Sequence, residues 1–505
     1  MMIPDKKWIW ALAGISVLIG SGILLFGEPV ITYMYRNPVR LPVLGDLLGG
    51  RDQHPLAHYL EVSTVLRHYA IVFIKIGLLL AAICGTRMVM QIASLIAAHR
   101  PVTTRIRTAC TISLVIIAGC LAALSTTPQI EFGEGKEGKG YGHDGVHYGK
   151  IADDFRPFET SAALPFAHRI LPSAAVSYMG IGTFRGFQAI NLLCYVLSCV
   201  LMYRLLRFYK IERSASVLGV GFLVCLKFGL KFWLYYPVQT DGFGTLLLLG
   251  IVYAAVSRTQ ILYLICMTLA VVSRENLLAL IPFHILCTFC LVASPRQRVW
   301  AALLNTIPVA CFFISRHFPL VEGYGEYHAT GAVLSYTKMF LVNPGRQLRF
   351  FFAHINSLGV LAVLPLLMWK TSYKFLIRHW YWCYFILLNL VFSIVGGSDI
   401  DRFALWQAPI LILLIVHELR NEAALVVLGH FLVMQVVWSE LLIPWWPDMR
   451  FYLSRYAVHS RSADAFLMCL SCISLVAAVA IVYRRCLLAK RQENCPTNES
   501  SAALR

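Results

Sequence analysis

Charge is scarce in this chain. Only 14% of its 505 residues are Asp, Glu, Lys or Arg, against 58% hydrophobic. A soluble domain carries about 25% charged residues, so this balance excludes an ordinary soluble enzyme. Cysteine is missing where a secreted domain would need it. None of the 15 cysteines falls in the long loops 28–63, 126–186, 316–352 and 444–463, which excludes a disulfide-stapled exterior domain. Cys287/Cys290 and Cys469/Cys472 have CxxC spacing inside apolar runs. Embedded in lipid-spanning runs, they read as small apolar packing residues rather than metal ligands. No internal repeat of the kind common in secondary transporters is visible. A nucleotide-binding glycine loop is also missing: "GEGKEGKG" contains Gly-Lys without the Walker spacing, which argues against ATP use.

Long apolar runs are abundant. The first, 8–27, is about one bilayer thickness of helix and lacks a clear cleavage site after it, so it reads as a retained span. Similar runs at 64–84, 107–125, 187–203, 214–234, 242–257, 260–272, 277–293, 299–315, 353–369, 379–395, 403–419, 423–441 and 464–483 follow. The expectation is an all-α, polytopic transmembrane protein with about 12–14 spans. The net charge of +18 belongs to helix ends. With no basic domain outside the apolar segments, nucleic acid is excluded as a partner and membrane lipid is favoured.

The short basic connectors give the chain a direction. Lys6 and Lys7 precede the first span; Arg87, Arg100, Arg105 and Arg107, then Arg204, Arg207, Lys210 and Arg213, then Arg258, Arg296 and Arg298, then Lys370, Lys374, Arg378 and Arg420, and finally Arg484, Arg485, Lys490 and Arg491 fall on the same side. The positive-inside rule makes that side cytoplasmic, with both termini on it. The polar clusters then share the exterior face: 144–154, 235–241, Arg274 with Glu275, 322–328, and 399–402.

Each cluster has two readings. "HDGVHYGKIADDF" (143–155) predicts a short interfacial helix with Val146, Ile151 and Phe155 as its apolar stripe, and "PFAHRILPSAAVSYMGI" (165–181) a second one. Asp144 is the candidate general base; Asp153 and Asp154 compete for that role. His143, His147, Tyr148, Lys150, His168 and Arg169 are cations and donors suited to a phosphate-bearing substrate. In "YYPVQTDG" (235–242), Asp241 is either a substrate-facing acid or, with Thr240, a helix cap. Arg274 and Glu275 in "SREN" sit between two apolar runs, where charge is costly and usually faces a polar cavity, unless they pair with other helix-end residues. Asp401 and Arg402 in "GGSDIDRF" either pair locally or leave Arg402 for a lipid phosphate. The Trp- and Tyr-rich segment 444–456 reads as an interfacial aromatic belt. Lys75 and Lys227 are the mid-membrane charges a transporter would use, or they snorkel.

Together, "GHDGVHYGKIADD…LPFAHRILPSAAV", "YYPVQTDG", "SREN" and "GGSDIDRF" resemble, in order and sidedness, the motifs of bacterial membrane proteins in the GT-C superfamily of lipid-phosphate-sugar-dependent glycosyltransferases, including mannosyltransferase-like members. The resemblance covers roughly 107–420. It implies a GT-C-like fold with a catalytic exterior loop at 126–186. It also implies hexosyl transfer from a polyprenyl-phosphate donor to a glycan, lipid or protein acceptor, in a bacterial inner membrane. Asp144 matches the first-loop acid that serves as base, and Arg169 the Arg of the Arg-Ile-Leu-Pro segment. Arg274, Glu275, Asp401 and Arg402 match the later motifs. The chain departs from the pattern in adding two spans and a loop at 1–106 before the core, with further spans and a basic tail at 421–505. His143-Asp144 replaces the commoner paired acids, so no cofactor is expected and a divalent metal is not supported. The alternatives are a transporter or flippase for an anionic lipid-linked sugar, and a membrane acyl- or phosphotransferase using His147, His168 or His328.

Overall fold

The computed structural model describes residues 11–22, 55–98, 105–133, 139–156, 162–163, 165–292, 294–316, 329–396, 400–419, 422–449, 451–452 and 462–494. The loop cluster at 322–328 and Asp399 lie outside them. The described residues are helical, with turns and no β-strand. Six helices are long and apolar enough to cross a membrane, or up to eight if two bent pairs are counted. The chain is an integral membrane protein of polytopic helical architecture.

The polypeptide forms two compact units, 1–99 with 448–505, and 100–447. In the first, the helix Pro55–Ala98 runs for 44 residues, about 66 Å at 1.5 Å per residue. Only its Tyr69–Thr86 stretch is apolar enough to cross a bilayer. The helix Ala11–Gly22 approaches it closely. A Cβ on Gly20 would sit 2.6 Å from Ile74 Cγ1, and one on Gly77 2.7 Å from Val17 Cγ2, so the small residues let the two backbones meet. Ser462–Asn494 packs along the same long helix, with Arg67 Nη1 3.3 Å from Asp448 Oδ2 and Arg485 Nη1 donating to the Ile83 carbonyl at 2.5 Å.

The second unit holds the polar clusters. Its spans Arg107–Thr126, Thr183–Phe208, Pro295–Arg316 and Ile400–Glu418 pack with shorter helices, and Ile400–Glu418 is largely buried among them. The run 214–234, expected as one span, is broken: Arg213–Val224 ends, and Leu230–Tyr235 begins after a turn. At 12 and 6 residues neither piece alone crosses about 30 Å of hydrocarbon. Irregular backbone at this depth needs protein partners, and it has them: Gln435 Nε2 donates to the Cys225 carbonyl at 3.0 Å, and Asn191 Nδ2 to the Trp233 and Pro237 carbonyls at 3.0 Å each. The run 353–369 also departs from a straight span. Pro344–Leu358 and Val360–Leu367 meet at 100°, across Gly359 at φ 58°. Trp438 of the Glu422–Ser439 helix pins that bend, donating to the Ile355 and Asn356 carbonyls at 3.0 and 3.2 Å.

Both expected surface helices form, as His143–Asp153 and Ile170–Met179. Most of their apolar residues turn to protein, while Tyr178 and Met179 are exposed. Val146 packs on a core containing Tyr148, Val176 and Phe187, while Ile151 and Phe155 pack with Ala162 and Ala167. Outward-facing Leu114, Ile117, Leu121 and Leu193 leave apolar surface on the spans, as lipid contact requires.

The unit has two chemically different ends. At one, Thr183 donates to Asp153, the Ile130 N–H to the Tyr235 carbonyl (2.8 Å), and Lys231 to the Glu440 carbonyl (2.7 Å). At the other, the basic connectors meet: the Tyr209 and Tyr381 hydroxyls lie 2.9 Å apart, and Trp382 Nε1 donates to Tyr209 at 2.8 Å.

Candidate functional site

Asp144 stands in the first turn of the His143–Asp153 helix, which has no side-chain cap of its own. Tyr236 replaces it. Its hydroxyl donates to the Gly142 carbonyl at 2.6 Å and accepts from the Gly145 N–H at 3.1 Å, clamping the backbone on both sides of Asp144. The entry turn demands glycine. Gly142 has φ 75°, and a Cβ there would lie 2.4 Å from the Phe132 ring. His143 follows at φ 26° with its ring edge-on to Phe132.

From Asp144 a line of alternating charges runs inward. Arg402 Nη2 is 3.5 Å from Asp144 Oδ2, and Arg402 Nη1 donates to Asp241 Oδ2 at 2.8 Å and Gln239 Oε1 at 2.7 Å. Asp241 Oδ1 takes Arg274, whose guanidinium also lies over the Trp406 ring at 5.3 Å. The Asp144 side chain is 38% exposed, whereas Arg402 is 9% and Asp241 6% exposed. Asp144 is therefore the acid of this line that a ligand can touch.

A second group adjoins it. Arg169 makes a bidentate pair with Glu275, at 2.9 and 2.8 Å, and donates to the Tyr148 hydroxyl at 3.1 Å. Fork-to-fork geometry of this kind is strong and directional. It ties the start of Ile170–Met179 to the turn after Gln260–Val271, a tie the Leu171 N–H reinforces by bonding the Val272 carbonyl at 3.0 Å. Arg316 lies within electrostatic reach of Glu275 and Arg169, and its Nη1 has no hydrogen-bond partner among the described residues.

Several sequence readings change here. Asp241 is no helix cap: both oxygens are taken by arginines, and Thr240, at the cap position, makes no side-chain cap bond. Asp401 and Arg402 do not pair locally. Asp401 accepts from Asn356 Nδ2 at 3.1 Å and Ser357 Oγ at 3.4 Å, while Arg402 points to Asp241. Arg274 and Glu275 do pair with other helix-end residues, Arg274 with Asp241 and Glu275 with Arg169, as the alternative reading had it. Trp445 belongs to no aromatic belt; it is 5% exposed, its Nε1 donates to Glu440 Oε2 at 3.3 Å, and Lys231 Nζ sits 5.0 Å over its ring. Lys227 does not snorkel: it is buried, 3.4 Å from Glu440 and 2.8 Å from Asn356 Oδ1. Lys75 is buried too.

The remaining candidates divide. Asp153 receives hydrogen bonds from Lys139 (2.6 Å), Tyr141 (2.8 Å) and Thr183. Burial raises its pKa, but these partners pull it below the ordinary carboxylate range, leaving a fixed anion and a weak base. Asp154 is 72% exposed and pairs with Arg156. Lys150 is half-buried on the Asp144 helix and makes no ion pair among the described residues. His168 ends the short 3-10 turn Phe166–His168.

His147 stacks on Phe166 at 4.6 Å, and its Nδ1 accepts from the Ala163 N–H at 3.2 Å. Burial lowers its pKa, against an upward pull from Asp144 and with a smaller downward push from Lys150. The unfolded chain therefore binds the proton more tightly, and stability falls as pH drops below the unfolded value near 6.5. The thermal midpoint of the wild type should fall more between pH 7.5 and 5.5 than that of His147→Gln. Equal slopes would show that His147 is not the titrating group.

Tyr236, Gln239 and Arg316 complete the site without having been singled out as site residues from sequence. No family profile, curated protein or solved structure matches the chain.

Proposed function

We propose that the protein is an integral membrane glycosyltransferase that moves a sugar from a polyprenyl-phosphate donor to an acceptor hydroxyl at the Asp144 face. The observation that carries the reading is the partly exposed Asp144 at the head of a buried Arg402–Asp241–Arg274 line. A sugar on a lipid phosphate already has its leaving group. The reaction needs a base for the acceptor and cations for the phosphate, held in place beforehand. Asp144 takes the hydroxyl proton as the acceptor oxygen bonds to the anomeric carbon. The bond to the phosphate oxygen breaks with its electron pair, and the anomeric centre inverts. Arg402 and Arg316 stabilise the departing phosphate, with Lys150 nearby on the Asp144 helix. Arg169 and Glu275 hold the second surface helix against the turn that carries Arg274. The resemblance of the sequence motifs to the GT-C superfamily supports the same assignment.

The test uses purified full-length protein in proteoliposomes with a panel of radiolabelled polyprenyl-phosphate sugars and membrane-extract acceptors. Transfer of label to a product separable from donor supports the reading. Movement of donor across the bilayer with no sugar transferred would replace it with a flippase.

A further inference from the structure

The end of the second unit away from Asp144 carries a cleft of its own. It measures about 380 Å³ and is lined by Thr108, Ala109, Ile112, Tyr203, Arg207 and Arg213. These residues come from the start of Arg105–Thr126, the end of Thr183–Phe208 and the start of Arg213–Val224. The Thr183–Phe208 helix has 26 residues, about 39 Å. Thr183 bonds Asp153 beside the candidate active site, so Arg207 lies a membrane thickness away.

The lining combines two cations, the hydroxyl-bearing Thr108 and Tyr203, and apolar Ala109 and Ile112, with no acid among the described lining residues. Glu212, next to Arg213, is exposed and outside the lining. Arg207 is fixed by donating from Nη1 to the Ile211 carbonyl. Leu114, Ile117 and Leu121 lie on the opposite face of the same helix from Ile112, 65%, 53% and 61% exposed. A ligand with its anionic head at the arginines would set its apolar part against Ala109 and Ile112. Basic pockets between transmembrane helices suit the head groups of anionic lipids, whereas a free phosphate would leave the apolar part of the cleft unused.

We propose that this cleft is a binding site for an anionic phospholipid, with the phosphate at Arg207 and Arg213 and the start of an acyl chain against Ala109 and Ile112. The site is independent of the sugar-transfer reading. It also agrees with the side that the basic connectors mark as cytoplasmic.

The experiment titrates purified full-length protein in mild detergent with phosphatidylglycerol or phosphatidylcholine, counting bound lipid by native mass spectrometry and following the thermal midpoint. Wild type should retain phosphatidylglycerol in preference to phosphatidylcholine. Arg207→Gln with Arg213→Gln should bind it roughly thirtyfold more weakly, from about 1 kcal/mol per basic residue. Ile112→Trp keeps both charges but fills the apolar part, and should lose the lipid too. Lys374→Gln, exposed elsewhere on the basic connectors, should bind as wild type. Equal retention by the double variant, equal binding of the two lipids by wild type, or displacement by equimolar inorganic phosphate would overturn the proposal.

Discussion

Asp144→Asn should cut sugar transfer by about 10²–10⁴-fold, the span that a positioned general base contributes, while the protein remains folded and binds donor. The substitution keeps size and shape and removes only the proton acceptor. Its structural cost should be small. Asp144 is 38% exposed and its ion pair to Arg402 is long at 3.5 Å, while Arg402 keeps Asp241 as its closer counter-ion at 2.8 Å. Asp153→Asn is the informative contrast. Asp153 holds Lys139, Tyr141 and Thr183 together, so its loss should lower the thermal midpoint yet leave turnover within a few-fold of wild type. Initial rates in proteoliposomes, with donor binding measured separately, decide between them. A variant in which Asp144→Asn turns over normally and Asp153→Asn does not would move the base to Asp153.

The largest loss of stability should come from Lys227→Met, at about 3–5 kcal/mol. Lys227 and Glu440 are 2% and 0% exposed, and removing one charge leaves the other buried without its counter-ion. Lys227→Met with Glu440→Leu should recover much of the loss, because two apolar side chains no longer carry desolvated charge. Recovery should be incomplete, since Asn356 Oδ1 loses its Lys227 donor and Trp445 Nε1 its Glu440 acceptor. The reading is the midpoint of heat-induced loss of the monodisperse peak in detergent. A double variant no better than the single one would show that the ion pair is not the source of the stability.

The sequence made the membrane class legible because apolar runs and basic connectors report the bilayer directly. It also placed both surface helices, since a Gly-rich entry and Pro-bounded segments punctuate them. Span integrity was less visible. The 214–234 and 353–369 runs are predominantly apolar, yet one breaks after Val224 and the other bends at Gly359. Hydropathy does not distinguish a helix facing lipid from one whose breaks are satisfied by Gln435, Asn191 and Trp438. The same holds at the site. Asp241, Arg274 and Arg402 were visible as charge beside apolar runs, and Asp144 as an acid in a polar exterior loop. Their partners were not, because Asp241 beside Thr240 has the local pattern of a helix start, and Arg402 beside Asp401 that of a local pair. Tyr236 gave no signal at all: a tyrosine at a helix end is ordinary, and only the fold brings its hydroxyl to Gly142 and Gly145.

The Asp241–Arg274 pair bears on how the chain enters its bilayer. Asp241 opens the helix Asp241–Ser257, and Arg274 follows the helix Gln260–Val271; the two helices pack together. Synthesised in succession, they form a hairpin whose opposite charges meet at the same level. The hairpin can leave the translocon already neutralised, more than 120 residues before Arg402 is made. Arg402, arriving last, then closes the line from a pre-paired carboxylate out to Asp144. On the proposed chemistry, insertion and sugar transfer would draw on the same aspartate, and replacing Asp241 should strand Arg274 at insertion before any substrate could report the loss.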